Sequence, residues 1–184
     1  MAIRTVADTG PVSIPPGVRS ARVPFSRGPV ALRGRCTWLY SLVVAVRIVD
    51  TADPTETEAF GAELAADLRE GDLVLVRGEL GAGKTTLVRG AARALGVSDP
   101  VTSPSFSIGH RYRADGLVVS HLDLYRLAGL EQEDPDLLAD YLGEGRIAFV
   151  EWPPDAEREL VGARLLISLS HQGEDRRRIE VLEP

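Results

Sequence analysis

Gly78-Glu79-Leu80-Gly81-Ala82-Gly83-Lys84-Thr85 decides how the rest of this chain is read. It matches G-x-x-x-x-G-K-[ST], the pattern of a phosphate-binding P-loop. Glycines permit backbone angles that turn successive N–H groups inward as an anion nest. A helix starting at Lys84 sets its positive dipole end beneath the phosphates. Lys84 is expected to reach the β and γ phosphates, and the Thr85 hydroxyl to take one Mg²⁺ position. Glu79, Leu80, Gly81, Ala82, Gly83, Lys84, Thr85 and Thr86 are the expected nucleotide-binding residues. A chance match is expected only about 10⁻³ times in a chain of this composition. Lys84 is also the single lysine in a chain that otherwise uses arginine. Arginine replaces lysine readily on a solvated surface, but not where a compact ammonium must sit inside a phosphate cradle.

Working outward, the flanking segments suit the motif. Leu73 to Val76 is a short apolar run fit for a buried strand leading into Gly78. From Lys84 to Leu95, Leu87, Ala91 and Leu95 form one stripe of a helix that Gly96 ends. Upstream, Asp53-Pro54-Thr55 followed by Glu58 reads as a capping box. Phe60, Leu64 and Leu68 carry that helix toward a stop at Gly71. Downstream, Ser107–Tyr112 and Leu117–Leu124 flank Ala114-Asp115-Gly116 as an antiparallel hairpin. Pro135 opens a short helix through Leu142, and Arg146–Trp152 is a buried strand. Arg164–Ser170 and Arg178–Leu182 form a second hairpin around Gln172-Gly173. The expected fold is a P-loop NTPase-like, three-layer α/β/α sandwich whose mixed sheet includes antiparallel hairpins.

Length and composition bound the alternatives. The chain has 184 residues, 44% of them hydrophobic, which suffices for one domain with a core. The single cysteine, Cys36, excludes an internal disulfide and a cysteine-based metal site, and it suits a reducing, cytoplasmic compartment. No apolar run approaches the ~20 residues of a membrane span. Through Arg47 the chain has seven arginines and one acid, net +6, which leaves −12 for the remainder. Residues 1–46 therefore read as an appendage to a domain over 47–184. Five prolines and four glycines interrupt residues 1–46, and no helix or strand period survives there. Disorder, or a start codon placed too far upstream, is the expected reading. A targeting segment or a functional arm are the alternatives. The acidic domain repels phosphate backbones, so direct nucleic-acid contact is not expected of it.

Hydrolysis needs more than a P-loop. A metal-assisting acid at a strand end and a group that orients water are required. Asp123 and Glu151 each end an apolar strand, where ligands of open α/β sheets bind. His121, two residues before Asp123, reads as packed and hydrogen-bonded. Trp152 is assignable to the base, the ribose or the core, and Arg126 to phosphate or an acid.

An ordered set of motifs now stands on the page. The P-loop continues to Thr86, and Thr102-Ser103-Pro104-Ser105-Phe106 follows. His121-Leu122-Asp123-Leu124-Tyr125-Arg126 and Glu151-Trp152-Pro153 complete the set. Together they resemble the TsaE family (formerly YjeE), over roughly residues 48–170. The resemblance implies an Mg²⁺-dependent ATPase required for N6-threonylcarbamoyladenosine formation on tRNA. It implies that Asp123 assists the Mg²⁺ site and that Glu151 is the Walker-B-like catalytic acid, so that Lys84 and Glu151 are catalytic and Thr85, Asp123 and Glu151 serve the metal. Ser103–Phe106 corresponds to a nucleotide-responsive loop, with Ser105 where the family has threonine. The implied partners are a threonylcarbamoyl transferase subunit and its paralogous partner subunit, with tRNA contacted only through the complex and no membrane. The competing readings are a small-molecule or nucleoside kinase, and a nucleotide-gated binding protein. Against a kinase, Leu130–Gly145 holds six acids and no basic residue where an arginine-rich lid would fall.

Overall fold

Backbone pairing explains the architecture strand by strand. The computed structural model describes residues 21–22, 45–104, 107–114, 116–124, 135–143, 145–151 and 162–183. Four strands run parallel: β3 (Leu73–Gly78), β5 (Leu117–Asp123), β6 (Arg146–Glu151) and β7 (Leu165–His171). Antiparallel strands flank them. β4 (Gly109–Ala114) pairs with β5, and β8 (Arg177–Glu183) pairs with β7. β2 (Ala45–Thr51) pairs along its length with β8, and β1 (Ala21–Arg22) pairs with β2. The sheet order is β1-β2-β8-β7-β3-β6-β5-β4.

Strand alternation places two cores on opposite faces. Val74 and Val76 of β3, Ile147 and Phe149 of β6 and Val119 of β5 point to one face. There they meet Phe60 of α1 (Pro54–Ala65) and Leu87, Val88 and Ala91 of α2 (Lys84–Ala94). Leu75, Leu122 and Val150 point to the other face, where Tyr141 and Leu142 of α3 (Pro135–Leu142) pack. This is the expected three-layer α/β/α sandwich with a mixed sheet. The layer above the cradle is tight, because α1 and α2 cross on glycine. A Cβ on Gly61 would collide with the Leu87 carbonyl, and one on Gly90 with that of Glu58. Among the described residues, no helix is long and apolar enough to cross a membrane.

Several local expectations are corrected. The capping residues of α1 are Asp53, whose side chain accepts from Glu56 N (2.9 Å), and Glu56, whose carboxylate accepts from Ala52 N (2.7 Å). Glu58 reaches instead across to Arg89 and Arg93 of α2. A carboxylate three residues after the cap faces back along the helix, while one five residues on faces the neighbouring helix. The helix ends at Ala65 rather than running to Gly71. Gly71, at φ +90°, turns the chain into β3 and donates its N–H to Arg146 O. β2 was not anticipated as a strand, because its pattern is inverted. Val46 and Ile48 face outward, while Val49 and Thr51 are buried and Arg47 lies over the Phe60 ring at 4.9 Å. Ala21–Arg22 likewise forms a strand within a segment lacking any period, since a β bridge needs only backbone groups. The rest of residues 1–44 and the Asp115 turn position lie outside the described residues.

Candidate functional site

The C-terminal ends of β3, β5 and β6 converge at the N-terminus of α2. β3 ends in Gly78, whose φ of +144° and close approach to Leu169 O leave no room for a side chain. Gly81 (φ +77°) and Gly83 (φ +96°) carry the loop round to α2, and Gly83 occupies the N-cap without any side-chain cap. Four N–H groups at a helix start lack intrahelical partners, so a cap without a side chain leaves them open to water or to an anion. Glu79, Leu80 and Gly81 are exposed at the crest, while Ala82 and Lys84 are buried.

Lys84 is 5% exposed, and its Nζ donates to Gly78 O and Glu79 O, each at 3.0 Å. Burial pulls its pKa below the ordinary lysine value, and the Glu151 and Asp123 carboxylates oppose that shift. The ammonium is therefore held inside the loop among carbonyls. Thr85, the next residue of α2, donates its hydroxyl to Glu151 Oε1 at 2.8 Å. His121 Nε2 hydrogen-bonds the same Oε1 at 2.8 Å. Both Glu151 and His121 are buried, at 2% and 0% exposure. His121 Nδ1 has no partner among the described residues.

Asp123 sits beside Glu151 because β5 and β6 are parallel and pair Asp123 with Glu151 in register. Its Oδ2 accepts from Ser103 Oγ at 2.9 Å. The Thr102–Pro104 arm is tied from three elements: Arg89 of α2 donates to Val101 O (3.2 Å), Tyr112 of β4 bonds the Thr102 main chain, and Asp123 of β5 takes Ser103. Lys84, Thr85, Asp123 and Glu151 are thus brought to one face. The remainder of the expected site falls on Ser105, Phe106, Tyr125, Arg126, Trp152 and Pro153, which lie outside the described residues, as does most of the acidic Leu130–Gly145 segment.

A divalent cation is chemically compatible with this donor set. Thr85, Asp123 and Glu151 offer hard oxygens, which suit Mg²⁺. Among the described residues, no group of three or more His, Cys, Asp or Glu side chains could hold a metal ion by itself. A cation here would take its remaining ligands from phosphate and water, as Mg²⁺ commonly does. Sequence reasoning missed Arg177 of β8, whose guanidinium donates to the P-loop carbonyls of Ala82 (3.1 Å) and Gly81 (3.4 Å). No sequence signal pointed to it, because it follows Ala82 by 95 residues and meets it only through the sheet.

The family model described as "Threonylcarbamoyl adenosine biosynthesis protein TsaE" matches residues 51–179. The chain is 39% identical over 129 residues to the tRNA threonylcarbamoyladenosine biosynthesis protein TsaE of Bacillus subtilis, covering 70% of this chain and 80% of that protein. It is 45% identical over 111 residues to the protein of that name from Streptomyces coelicolor, covering 59% and 75%. Among solved structures, a crystal structure of Bacillus subtilis YdiB matches with a TM-score of 0.63 and 34% identity, over 78% of this chain and 88% of that one.

Proposed function

The chain belongs to the TsaE family, and from that premise we propose that it serves threonylcarbamoyladenosine modification of tRNA as an Mg²⁺-dependent, ATP-hydrolysing accessory protein. The observation that carries the ATPase reading is the junction at Glu151, where the P-loop threonine and a buried histidine meet one carboxylate oxygen. Hydrolysis needs a cradle for phosphate and an acid held at its edge, and this junction joins the two.

In this reading the Gly78–Thr86 backbone binds the phosphates. Lys84 leaves the carbonyls of Gly78 and Glu79 to neutralise the β and γ oxygens. Mg²⁺, when bound, supplies charge neutralisation at the transferring phosphate. Thr85 and Asp123 would hold it, with Glu151 adjoining. Glu151 orients the attacking water and receives its proton, and His121 holds the carboxylate in place. Ser103 reads the state of Asp123, which ties the Thr102–Pro104 arm to site occupancy. The partners in this proposal are a threonylcarbamoyl transferase subunit and its paralogous subunit, in the cytoplasm, with tRNA reached only through them. The ATPase domain in this proposal begins with β2 at Ala45 rather than at residue 47, because Ala45 and Val46 pair with β8, and residues 1–44 are an extension, of which Ala21–Arg22 pairs with β2, that the chemistry does not use.

The test is ADP release from ATP and Mg²⁺ by the intact protein, alone and with the purified transferase subunits. Release without any small-molecule acceptor, and co-elution with those subunits, is the expected result. Release that requires a nucleoside or sugar acceptor would make the protein a kinase instead.

A further inference from the structure

Arg177 opens β8 immediately after the β7–β8 turn. Its guanidinium bonds main-chain carbonyls on two separate segments. Nη1 donates to Glu174 O (2.9 Å) and Arg176 O (2.8 Å) of its own turn. Nε and Nη2 donate to Ala82 O (3.1 Å) and Gly81 O (3.4 Å) of the P-loop. Arg177 makes no ion pair with a carboxylate among the described residues. Its neighbour Arg178, in contrast, pairs with Asp50 at 2.8 Å.

The geometry points to Arg177 as a positioning residue for the phosphate cradle, an inference that rests on the nucleotide-binding reading above. A peptide unit is planar, with its C=O and the following N–H on opposite sides. Drawing the Ala82 carbonyl toward Arg177 therefore aims the Gly83 N–H the other way, into the concavity of the loop. Gly83 is also the N-cap of α2, with φ +96° and no side chain to fix its peptide. A glycine pair on either side of Ala82 is free to flip, and a planar fork of donors removes that freedom. The β7–β8 hairpin braces the loop at a second point. Leu169 O presses on Gly78, so that a Cβ there would stand 2.5 Å away, and Gly78 pairs with Leu169 in the β3–β7 ladder.

The opposing explanation is that Arg177 only staples its turn, where Glu174 is held at φ +46°. Glu174→Gly relieves that conformation without touching the loop, so it separates the two roles. ATP affinity at saturating Mg²⁺, kcat and Tm are measured for the intact protein, Lys84→Ala, Arg177→Gln, Arg177→Lys and Glu174→Gly/Arg177→Gln. Each hydrogen bond from a charged group contributes ~1.5–3 kcal/mol, so Arg177→Gln is expected to weaken ATP binding roughly ten- to a hundredfold. A cradle grips ground and transition states alike, so kcat at saturation stays within about threefold. Arg177→Lys, with one donor head in place of a fork, falls between. In the double variant Tm recovers and affinity does not. An ATP affinity for Arg177→Gln within twofold of the parent overturns the inference. So does affinity that returns together with Tm, or a fall in kcat with affinity unchanged. Should Arg177→Gln fail to fold, parental affinity in Arg177→Lys overturns it equally. If the parent itself binds no ATP, or Lys84→Ala binds as well as the parent, the nucleotide-binding reading fails first and this inference falls with it.

Discussion

The site has two halves of different construction. The loop half, the phosphate half of the proposed mechanism, is backbone: glycines at positive φ, an uncapped helix start and a lysine resting on loop carbonyls. The acidic half is side chain: Glu151, Asp123, His121 and Ser103, held by bonds between residues 20 to 30 positions apart. Thr85 spans them through its bond to Glu151, 66 positions away, and Lys84 is coupled by charge to both acids. The comparison teaches where each half is fragile. A nest of main-chain N–H groups survives most side-chain changes outside its lysine and glycines. A carboxylate pair depends on strand register, because a one-residue slip of β5 against β6 would turn Asp123 to the opposite face.

The sharpest way to break the phosphate half is Lys84→Ala. The triphosphate then loses the one lysine of the cradle, and ATP turnover should fall by more than about a hundredfold. Steady-state ADP release decides it, and activity within twofold of the parent would remove the P-loop from the mechanism. Next in size is Glu151→Gln in the acidic half. Turnover should drop by roughly a hundredfold while ATP affinity changes by less than about threefold, because the lost charge acts on water and the transition state. A parallel loss of affinity would show that the two halves are not separable. Asp123→Asn should be milder, lowering apparent Mg²⁺ affinity about tenfold with turnover restored at high Mg²⁺. Turnover that stays low at saturating Mg²⁺ would move Asp123 into the chemistry.

A smaller effect sharpens the contrast through pH. Burial holds Lys84 below its ordinary value of 10.5. In the window between those two values the unfolded chain binds more protons, so the stability of the nucleotide-free protein should rise with pH there. ATP affinity should fall over the same window, since the phosphates need the ammonium. Both trends, read as differences from Lys84→Ala, should vanish in that variant. If ATP affinity does not decline as pH rises toward 10.5, the burial of Lys84 has no bearing on binding. The smallest effect is expected from deleting residues 1–44, which lie ahead of both halves. Tm should move by less than ~5 °C, on the order of 1–2 kcal/mol at this size, and ATP turnover should be unchanged. A larger drop would show that strand β1 on the β2 edge stabilises the domain.

The phosphate half was legible in sequence because its information is local. Eight consecutive residues specify a turn, a helix start and a cation, and Leu73–Val76 and Leu87–Ala91 show the flanking strand and helix by their apolar spacing. The acidic half was legible only as two candidates, since Asp123 and Glu151 each end an apolar run. Their adjacency is a fact of parallel pairing between β5 and β6. β2 stayed hidden because Arg47 points inward over Phe60 while Val46 and Ile48 point out, which reverses the usual alternation. The α1 box slid from Glu58 to Glu56 because Glu58 found two arginines on α2, a tertiary partner that outweighs a local one.

By itself, then, the sequence determined the glycine-rich turn, the helix that follows it, the two hairpins and the α/β class, because each rests on residues within a few positions of one another. Tertiary structure alone decided which residues of distant strands share the cradle. Glu151 meets Thr85 and His121, Ser103 meets Asp123, and Arg177 crosses 95 positions to hold the carbonyl of Ala82. The physical reason is that strand order and register, fixed by the burial of two opposite sheet faces, set these distances, and no local spacing encodes them.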